Sequence, residues 1–235
     1  MTGELLSDES EDEWSAENAA YTSYLLQTRP DRIMVQGIYV DPAAVGFSLV
    51  VSNACGPSLT ELLDWKNQGC CLLLCAWMWR LYEPWVDPSI TANLEPDKPQ
   101  TFTAKIHGDS YHCRIHSVGS GFGRRTIIFD SEAESNNAES NVVIKEQYIE
   151  TSGRFSEGAI LGNVHREKKT FPGVVRTGWS GPVKSGEKDL IVGLKDPETG
   201  EIYERKKVRL LLLDGEGSIV DAKTPREAWS LYMTS

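Results

Sequence analysis

Short runs of β-branched and aromatic residues, separated by Gly, Pro, Asn and Asp, recur along most of the chain. This pattern is typical of β-strands. Two runs lie near the start of the sequence and the others follow residue 100, where a hairpin is expected around Gly108-Asp109. The predicted strands are residues 32–40, 46–52, 101–106, 111–118, 125–130, 141–148, 173–179 and 207–213.

Helical signals are fewer and lie between the strands. The segment Ser58-Leu-Thr-Glu61 matches a capping box and predicts a helix that begins at Leu59. A longer helix is predicted over residues 71–82, and further helices over residues 156–167 and from Thr224-Pro225 to the end. Because residues 71–82 are apolar on nearly every face, we expect this helix to be covered on several sides, with its Trp and Cys side chains in the core.

Four prolines between residues 84 and 99 mark the best candidate for a domain boundary. The strand-rich pattern with interspersed helices predicts an α+β fold. We divide the chain into an acidic tail over residues 1–30, an N-terminal extension of mixed strands and helices over residues 31–100, and a strand-rich region with one main helix over residues 101–235.

Charge is distributed unevenly along the chain, which has 34 acidic and 24 basic residues and a formal net charge of −10. Seven of the acids lie in residues 1–28, which contain no Lys or Arg, so the rest of the chain is close to neutral. A self-repelling acidic block buries little surface, so we expect residues 1–30 to be a disordered arm, with an acidic interaction tail as the alternative. The acidic balance argues against general nucleic-acid binding.

The longest apolar run covers residues 70–79 (CCLLLCAWMW). This run is about half as long as a membrane span, so we expect no membrane association. The acidic start of the chain lacks the basic and apolar regions of a secretory signal. Five cysteines, three of them at positions 70, 71 and 75, do not suggest a disulfide framework. These features predict an intracellular protein, in the cytosol or the nucleus.

Candidate nucleotide-binding groups follow one another in a particular order after residue 110. A glycine-bearing turn joins two predicted strands, the next strand carries a lysine, and the following helix carries a glutamate. Backbone amides in such a turn can approach phosphates, and a lysine held by a glutamate can bind them by charge. The spacing G-x-G-x-G is not diagnostic, and a hairpin turn that needs positive φ is the alternative. The candidate residues are Gly119, Gly121, Gly123, Lys145 and Glu157.

Three histidines and a cysteine, His107, His112, Cys113 and His116, lie within ten residues of one another and raise the question of a zinc site. Strand alternation places His112 and His116 on one face and Cys113 on the other. We therefore do not expect a metal site in this segment.

Six stretches of the sequence carry a family resemblance and together extend over about residues 35–235. They are residues 46–53 (GFSLVVSN), 73–91 (LLCAWMWRLYEPWVDPSIT), 111–130 (YHCRIHSVGSGFGRRTIIFD), 141–165 (NVVIKEQYIETSGRFSEGAILGNVH), 173–176 (GVVR) and 207–229 (KVRLLLLDGEGSIVDAKTPREAW). With the order of elements given above, they resemble the fungal-type protein kinase domain family.

The resemblance implies a protein-kinase-like small lobe, an antiparallel sheet with one main helix, preceded by an extension that packs on it. The implied activity is ATP-dependent phosphorylation of Ser or Thr. In the family pattern the glycine turn approaches the ATP phosphates, Lys145 holds the α- and β-phosphates, and Glu157 holds Lys145.

The sequence departs from a complete kinase in the segments that would bind Mg²⁺ and activate the substrate. Val164-His165-Arg166-Glu167 is not H-R-D, and Asp214-Gly-Glu-Gly217 is not D-F-G. We therefore expect a lobe truncated at the hinge or at the first large-lobe helix. Such a lobe would have no Mg²⁺ site, would bind ATP weakly at most, and would be inactive alone. We assign a catalytic role to no residue of this sequence.

A second function is compatible with the sequence. In this alternative the chain is a non-enzymatic, pseudokinase-like regulatory module that binds a protein partner on the exposed face of the small lobe. Apolar surface for that partner would come from residues 208–213, Trp229 and Tyr232. The remaining alternatives are a fragment of a longer kinase and a lobe completed by another chain. The sequence indicates neither a substrate nor an oligomeric state.

Overall fold

A computed structural model of the chain has an α+β fold, as the sequence predicts, and its paired strands run antiparallel. It describes residues 9–41, 46–81, 85–133, 142–152, 156–165, 174–196 and 199–213. Within these residues there are three helices and fourteen strands. None of these helices is long and apolar enough to cross a membrane.

The first element is a helix, α1 (Glu9–Thr28). The prediction of a disordered arm over residues 1–30 is therefore wrong for residues 9–28. The acidic segment Glu9–Glu13 therefore falls within a helix. The other end is anchored by tertiary packing, because Leu26 is fully buried and Thr22 is nearly so.

Four strands follow and form a small antiparallel sheet. They are β1 (Met34–Asp41), β2 (Gly46–Asn53), β3 (Gly56–Leu59) and β4 (Leu63–Asp64). The order is β1-β2-β3, with β4 beside β2. The first two strands confirm the strands predicted at the start of the sequence.

The helix predicted from Leu59 is wrong, since the residues after it extend the small sheet. Leu59 pairs with Val50 at the end of β3. The Thr60 amide donates to the Leu49 carbonyl (3.0 Å), and the Leu49 amide donates to the Thr60 hydroxyl (3.0 Å). Pairing with the preceding strand β2 therefore overrides the local capping signal.

The long apolar helix is present as α2 (Gln68–Leu81), but the prediction that it is covered on several sides is wrong. No residue of α2 is buried, and Trp79 is 73% exposed. Cys75 is exposed as well. The helix is attached at one side, where the Trp77 indole donates to the Gly37 carbonyl (3.0 Å).

The remaining elements build a larger sheet with one helix. They are β5 (Ile90–Asn93), β6 (Thr101–Ile106), β7 (Asp109–Val118), β8 (Ile127–Ala133), β9 (Val142–Glu150), α3 (Glu157–Val164), β10 (Thr177–Pro182), β11 (Lys184–Ser185), β12 (Lys188–Asp189), β13 (Ile191–Lys195) and β14 (Ile202–Leu212). The strands of the larger sheet run in the order β10-β14-β9-β8-β7-β6-β5, with β13 beside β14, while β11 and β12 form a separate hairpin. The hairpin predicted around Gly108 is confirmed between β6 and β7.

The larger sheet begins before the boundary proposed at residue 100. Strand β5 lies in the segment assigned to the N-terminal extension, yet Ile90 pairs with Ala104 in β6. The two proposed regions therefore share one sheet.

Alternate residues of β9 define the two faces of this sheet. Ile144, Glu146 and Tyr148 point to what we call the core face, and Lys145 and Gln147 point to the helix face, where α3 lies. The main hydrophobic core covers the core face and contains residues from strands as far apart as β5 and β14, so the sheet curls around it. Its largest members are Ile90, Phe102, Ile106, Tyr111, Ile127, Phe129, Ile144 and Leu211.

Helix α3 begins where the sequence predicts. Ser156 is its N-cap, and its hydroxyl accepts a hydrogen bond from the Ala159 amide (3.2 Å). The helix predicted from Thr224 and the segment Asp214–Gly217 lie outside the described residues.

Candidate functional site

The two charged residues that the sequence singles out meet on the helix face. The Lys145 ammonium lies 2.8 Å from Glu157 Oε1 and 2.7 Å from Glu157 Oε2, so one carboxylate accepts two hydrogen bonds. The two side chains are 22% and 36% exposed, so the pair is in contact with solvent. A partly exposed ion pair of this kind adds at most about 1 kcal/mol to stability. The packing of α3 on the sheet therefore contributes more to the position of Glu157 than the ion pair does.

Close packing of α3 on the sheet sets the position of Glu157. The next residue, Gly158, is buried, and a Cβ at this position would lie only 2.3 Å from Ser180 Oγ and 2.4 Å from Ser180 Cβ. Glycine therefore allows the helix backbone to approach β10 directly. A cavity of about 200 Å³ lies between α3 and the sheet, bordered by Glu157, Ser180 and Leu210.

The glycine-bearing turn joins β7 to β8, as predicted, but its glycine amides already have partners in the protein. One amide closes the hairpin, one bonds to α1, and one bonds to the turn between β2 and β3. The donor and acceptor pairs are Gly119 N to Thr126 O (2.7 Å), Gly121 N to Ser23 Oγ (3.2 Å) and Gly123 N to Ala54 O (2.8 Å). Each of the three amides is therefore already bonded within the protein, one inside the hairpin and two to other elements.

The three glycines have different structural roles. Of the three, only Gly123 has a positive φ (74°), which agrees with the hairpin-turn interpretation for that residue. Gly121 is needed for close approach, because a Cβ there would lie 2.4 Å from the Ser23 carbonyl oxygen. A Cβ at position 119 would meet Thr126 at 3.4 Å, an ordinary contact.

A second group of charged residues, which the sequence analysis missed, lies on the core face. Asp87, Glu146, Lys207 and Arg209 are each 2% exposed or less, and we call them the buried ion cluster. Lys207 Nζ lies 2.7 Å from Asp87 Oδ2 and 2.9 Å from Glu146 Oε2. Arg209 Nε donates to Glu146 Oε1 (2.6 Å), and its Nη2 contacts both carboxylates. Two acids and two bases therefore neutralise one another inside the core.

The opposite charges nearby favour the charged forms of Asp87 and Lys207. Burial alone raises the pKa of Asp87, but Lys207 and Arg209 outweigh it and hold that pKa at about 2. Burial lowers the pKa of Lys207, but Asp87 and Glu146 outweigh it and raise that pKa above its usual value. The Lys207 ammonium also donates to the Pro30 carbonyl (3.3 Å), so the buried ion cluster ties the segment that follows α1 to the larger sheet.

The sequence holds only part of the signal for the buried ion cluster. Lys207 and Arg209 alternate with Val208 and Leu210 in a strand, so the sequence indicates that the two bases share one face but not that this face is buried. Buried charges require partners. The partner of Lys207, however, is Asp87, which is 120 positions away in a connecting segment. No local pattern links the two.

The histidines and the cysteine around the β6–β7 hairpin do not come together as ligands. Cys113 is fully buried in the hydrophobic core, and His116 Nδ1 lies 3.0 Å from Asp130 Oδ2. Within the described ranges, no group of three or more His, Cys, Asp or Glu side chains is arranged to hold a metal ion.

Exposed apolar surface lies in a different place from the one expected. Val208, Leu210 and Leu211 are at most 8% exposed, so the prediction that residues 208–213 supply an exposed docking surface is wrong for these three positions. Trp229 and Tyr232 lie outside the described residues. Large exposed apolar side chains are found on α2 instead, at Leu72, Leu73, Met78 and Trp79.

Comparison of the chain with models of protein families, with curated proteins and with solved structures finds no match. The functional interpretation therefore rests on the geometry of the chain itself.

Proposed function

We propose that this chain is a protein-kinase-like small lobe of the fungal type that binds ATP at Lys145 and does not transfer phosphate by itself. The observation that carries the proposal is the contact of the Lys145 ammonium with both oxygens of Glu157, at 2.8 and 2.7 Å. In kinases, a strand lysine paired with a glutamate of the following helix positions the ATP phosphates.

The order of the elements supports the same proposal. Strands β7 and β8, joined by a glycine-bearing turn, precede the lysine strand β9, which is followed by α3, β10 and β14. Strand β14 then returns to pair with β9, so that the lysine strand is held between β8 and β14. This is the sequence of elements that the resemblance to fungal-type kinases implies.

The chemistry of the pair suits a phosphate ligand. An ammonium group has three N–H donors. Two of them donate to Glu157, and the third can donate to a phosphate oxygen while the carboxylate keeps the ammonium in place. The glycine amides, which would add further donors, are bonded elsewhere. We therefore expect weak binding of ATP in the conformation described here.

Phosphate transfer needs a base and Mg²⁺ ligands, which kinases take from H-R-D and D-F-G segments. Neither motif occurs in the 235 residues of the sequence. We therefore propose binding without turnover for this chain. Transfer of labelled γ-phosphate from ATP to a protein substrate by the purified chain would contradict this part of the proposal.

Isothermal titration calorimetry with millimolar ATP tests the binding site. The comparison uses the wild-type chain, Lys145→Met and, as a matched control, Lys195→Met, which replaces an exposed lysine of β13. We expect binding heat in the wild type and in the control, and none in Lys145→Met. Equal heats in all three proteins, or no heat in any of them, would contradict the assignment.

A second candidate function is that of a protein-interaction module that uses the surface of α2. Leu72 and Trp79 are 65% and 73% exposed, and Trp85, which follows the helix, is 48% exposed. Large apolar side chains exposed close together in the chain favour an interaction site.

Sedimentation velocity tests the form of this function in which two copies of the chain associate through α2. A mass that rises with concentration in the wild type but not in Trp79→Glu supports it. A wild-type chain that stays monomeric over the whole concentration range contradicts it.

A further inference from the structure

Helix α1 and the turn between β7 and β8 hold each other through direct backbone contact. The Gly121 amide donates to Ser23 Oγ (3.2 Å). A Cβ at position 121 would lie 2.4 Å from the Ser23 carbonyl oxygen and 2.7 Å from Ser23 Cα. A side chain at position 121 would therefore push α1 and the turn apart.

Arg125, at the end of the same turn, binds one carbonyl in the last turn of α1 and one just after the helix. It is 2% exposed, and its guanidinium donates to the Leu26 carbonyl (3.0 and 2.5 Å) and to the Arg29 carbonyl (3.0 Å). Carbonyls in the last turn of a helix, such as that of Leu26, lack partners within the helix and carry partial negative charge. Arg125 also adopts a positive φ (39°), a conformation that is unfavourable for a residue with a side chain. Its contacts with α1 offset that strain.

These contacts draw the turn toward the core face of the sheet. The Arg125 guanidinium lies over the Tyr148 ring, 5.7 Å from its centroid, and the Tyr148 amide donates to the Arg124 carbonyl (2.7 Å). Tyr148 and Lys145 are three positions apart in β9, so their side chains point to opposite faces. A turn held in this way does not present the Gly121 amide to a ligand on Lys145.

We propose that α1 is a latch on the glycine-bearing turn, and that its release allows the turn to bind ATP phosphates together with Lys145. The proposal rests on the proposed function, since it concerns the same nucleotide site. In the latched state the Gly121 amide is occupied by Ser23, and ATP meets the lysine without it. In the released state the amide is free to donate to a phosphate oxygen. Because only the released state offers this donor, ATP binds that state more tightly.

Two variants release the latch from opposite sides. Gly121→Ala acts from the turn, and Leu26→Asp acts from the helix, where Leu26 is fully buried. The matched control is Gly193→Ala, whose added Cβ meets its nearest neighbours at 3.6 Å. We expect hydrogen exchange of residues 19–28 to be faster in both variants and unchanged in the control. If hydrogen exchange of residues 19–28 is not faster in either variant, these contacts do not hold α1, and the proposal is overturned.

Calorimetry on the same proteins measures the consequence for ATP. We expect the dissociation constant for ATP to fall at least ~10-fold in both variants, because a binding-competent state that is populated at 10% or less weakens the apparent affinity by that factor. An affinity that is unchanged or weaker in both variants overturns the latch, as does an equal gain in the Gly193→Ala control.

Reciprocity gives a second test on the wild-type chain. If release of α1 favours ATP, saturating ATP must favour release of α1, since the coupling is the same in both directions. Exchange of residues 19–28 should therefore become faster when ATP is added. Exchange that is unchanged or slower at saturating ATP would overturn the proposal.

Lys145→Met, introduced into the wild type and into both release variants, separates failure of the latch from failure of the proposed function. ATP binding that requires Lys145 but has equal affinity in latched and released proteins overturns the latch alone. Binding that is indifferent to Lys145 overturns the proposed function, and so does the absence of binding from latched and released proteins alike. Failure of the proposed function would also overturn the proposal that α1 controls nucleotide binding.

Discussion

Lys145 and Glu146 are neighbours in β9, yet their ion pairs lie on opposite faces of the sheet and in opposite surroundings. The Lys145–Glu157 pair is partly exposed, whereas the side chains of Glu146, Lys207 and Arg209 are at most 3% exposed. Water can replace a lost partner at the first pair but not at the second. One strand therefore carries a buried charge that is fixed within the fold on one face and a partly exposed ion pair on the other.

The glycine-bearing turn extends this difference between the two faces. Its contacts with Ser23 and Ala54 join it to the N-terminal elements, and the Tyr148 amide joins it to β9. On the helix face, Lys145 and Glu157 pair with each other. The three glycine amides of the turn bond to other parts of the protein and not to this pair.

Asp87→Asn should have the largest effect, since it leaves Lys207 and Arg209 with a single buried carboxylate. Removal of one partner from a buried ion pair costs about 3–5 kcal/mol. We expect a loss of this size in the free energy of unfolding measured with urea. The control is Asp130→Asn on the exposed side of β8, where the loss should stay below about 1 kcal/mol. Similar losses in the two variants would remove the distinction between buried and exposed pairs.

The second-largest expected effect is a loss in the free energy of unfolding at acid pH, where Asp87 becomes protonated. The pKa of Asp87 is lowered from 3.8 to about 2 in the folded chain, so its contribution is complete above 3.8 and is lost as the pH falls from there through about 2. The expected contribution is about 2 kcal/mol. Urea unfolding from pH 5 to pH 2 measures it as the part of the pH dependence that Asp87→Asn lacks. Identical pH profiles for the two proteins would contradict the assigned pKa.

Gly158→Ala should have an intermediate effect that is confined to the helix face. The added Cβ would overlap Ser180, so α3 must move away from β10 at a cost of at least about 1 kcal/mol. Glu157 moves with the helix, and ATP binding should weaken in the calorimeter. Gly162→Ala in the same helix is the control, because a Cβ there meets nothing within 4 Å. The control should keep both stability and ATP binding, and equal behaviour of the two variants would argue against close packing at Gly158.

Lys145→Met and Glu157→Gln should have the smallest effect on stability, below about 1 kcal/mol, because the pair is partly exposed. Thermal or urea unfolding of each variant beside Asp87→Asn checks the ranking. A loss as large as that of Asp87→Asn would show that both faces carry structural ion pairs.

Much of the sheet could be predicted from the sequence, because its strands combine regular apolar patterning with clear turn residues. The β6–β7 hairpin and the Ser156 cap of α3 are examples, since each depends on residues close together in the chain. The 12-residue separation of Lys145 and Glu157, on one strand and the next helix, could also be predicted to bring the two together.

The wrong predictions concern features that depend on distant residues. Helix α1 is anchored by burial of Leu26 and by Arg125, which lies 99 positions away. Strand β3 is an exception, because Leu59 pairs with Val50 in the preceding strand and this short-range pairing overrides a capping signal that favours a helix. The role of Gly121 depends on the position of Ser23, and the buried ion cluster depends on Asp87. Local patterns do not encode such contacts.

The most direct test of a ligand site confined to the helix face is an ATP titration followed by two-dimensional amide NMR. We expect the signals of Lys145, Glu157 and Gly158 to shift with ATP, while those of Phe102 and Ile106, in β6 on the core face, keep their positions. Unchanged signals at Lys145 and Glu157 under saturating ATP, or shifts confined to β6, would contradict the assignment of the nucleotide site to Lys145 and Glu157.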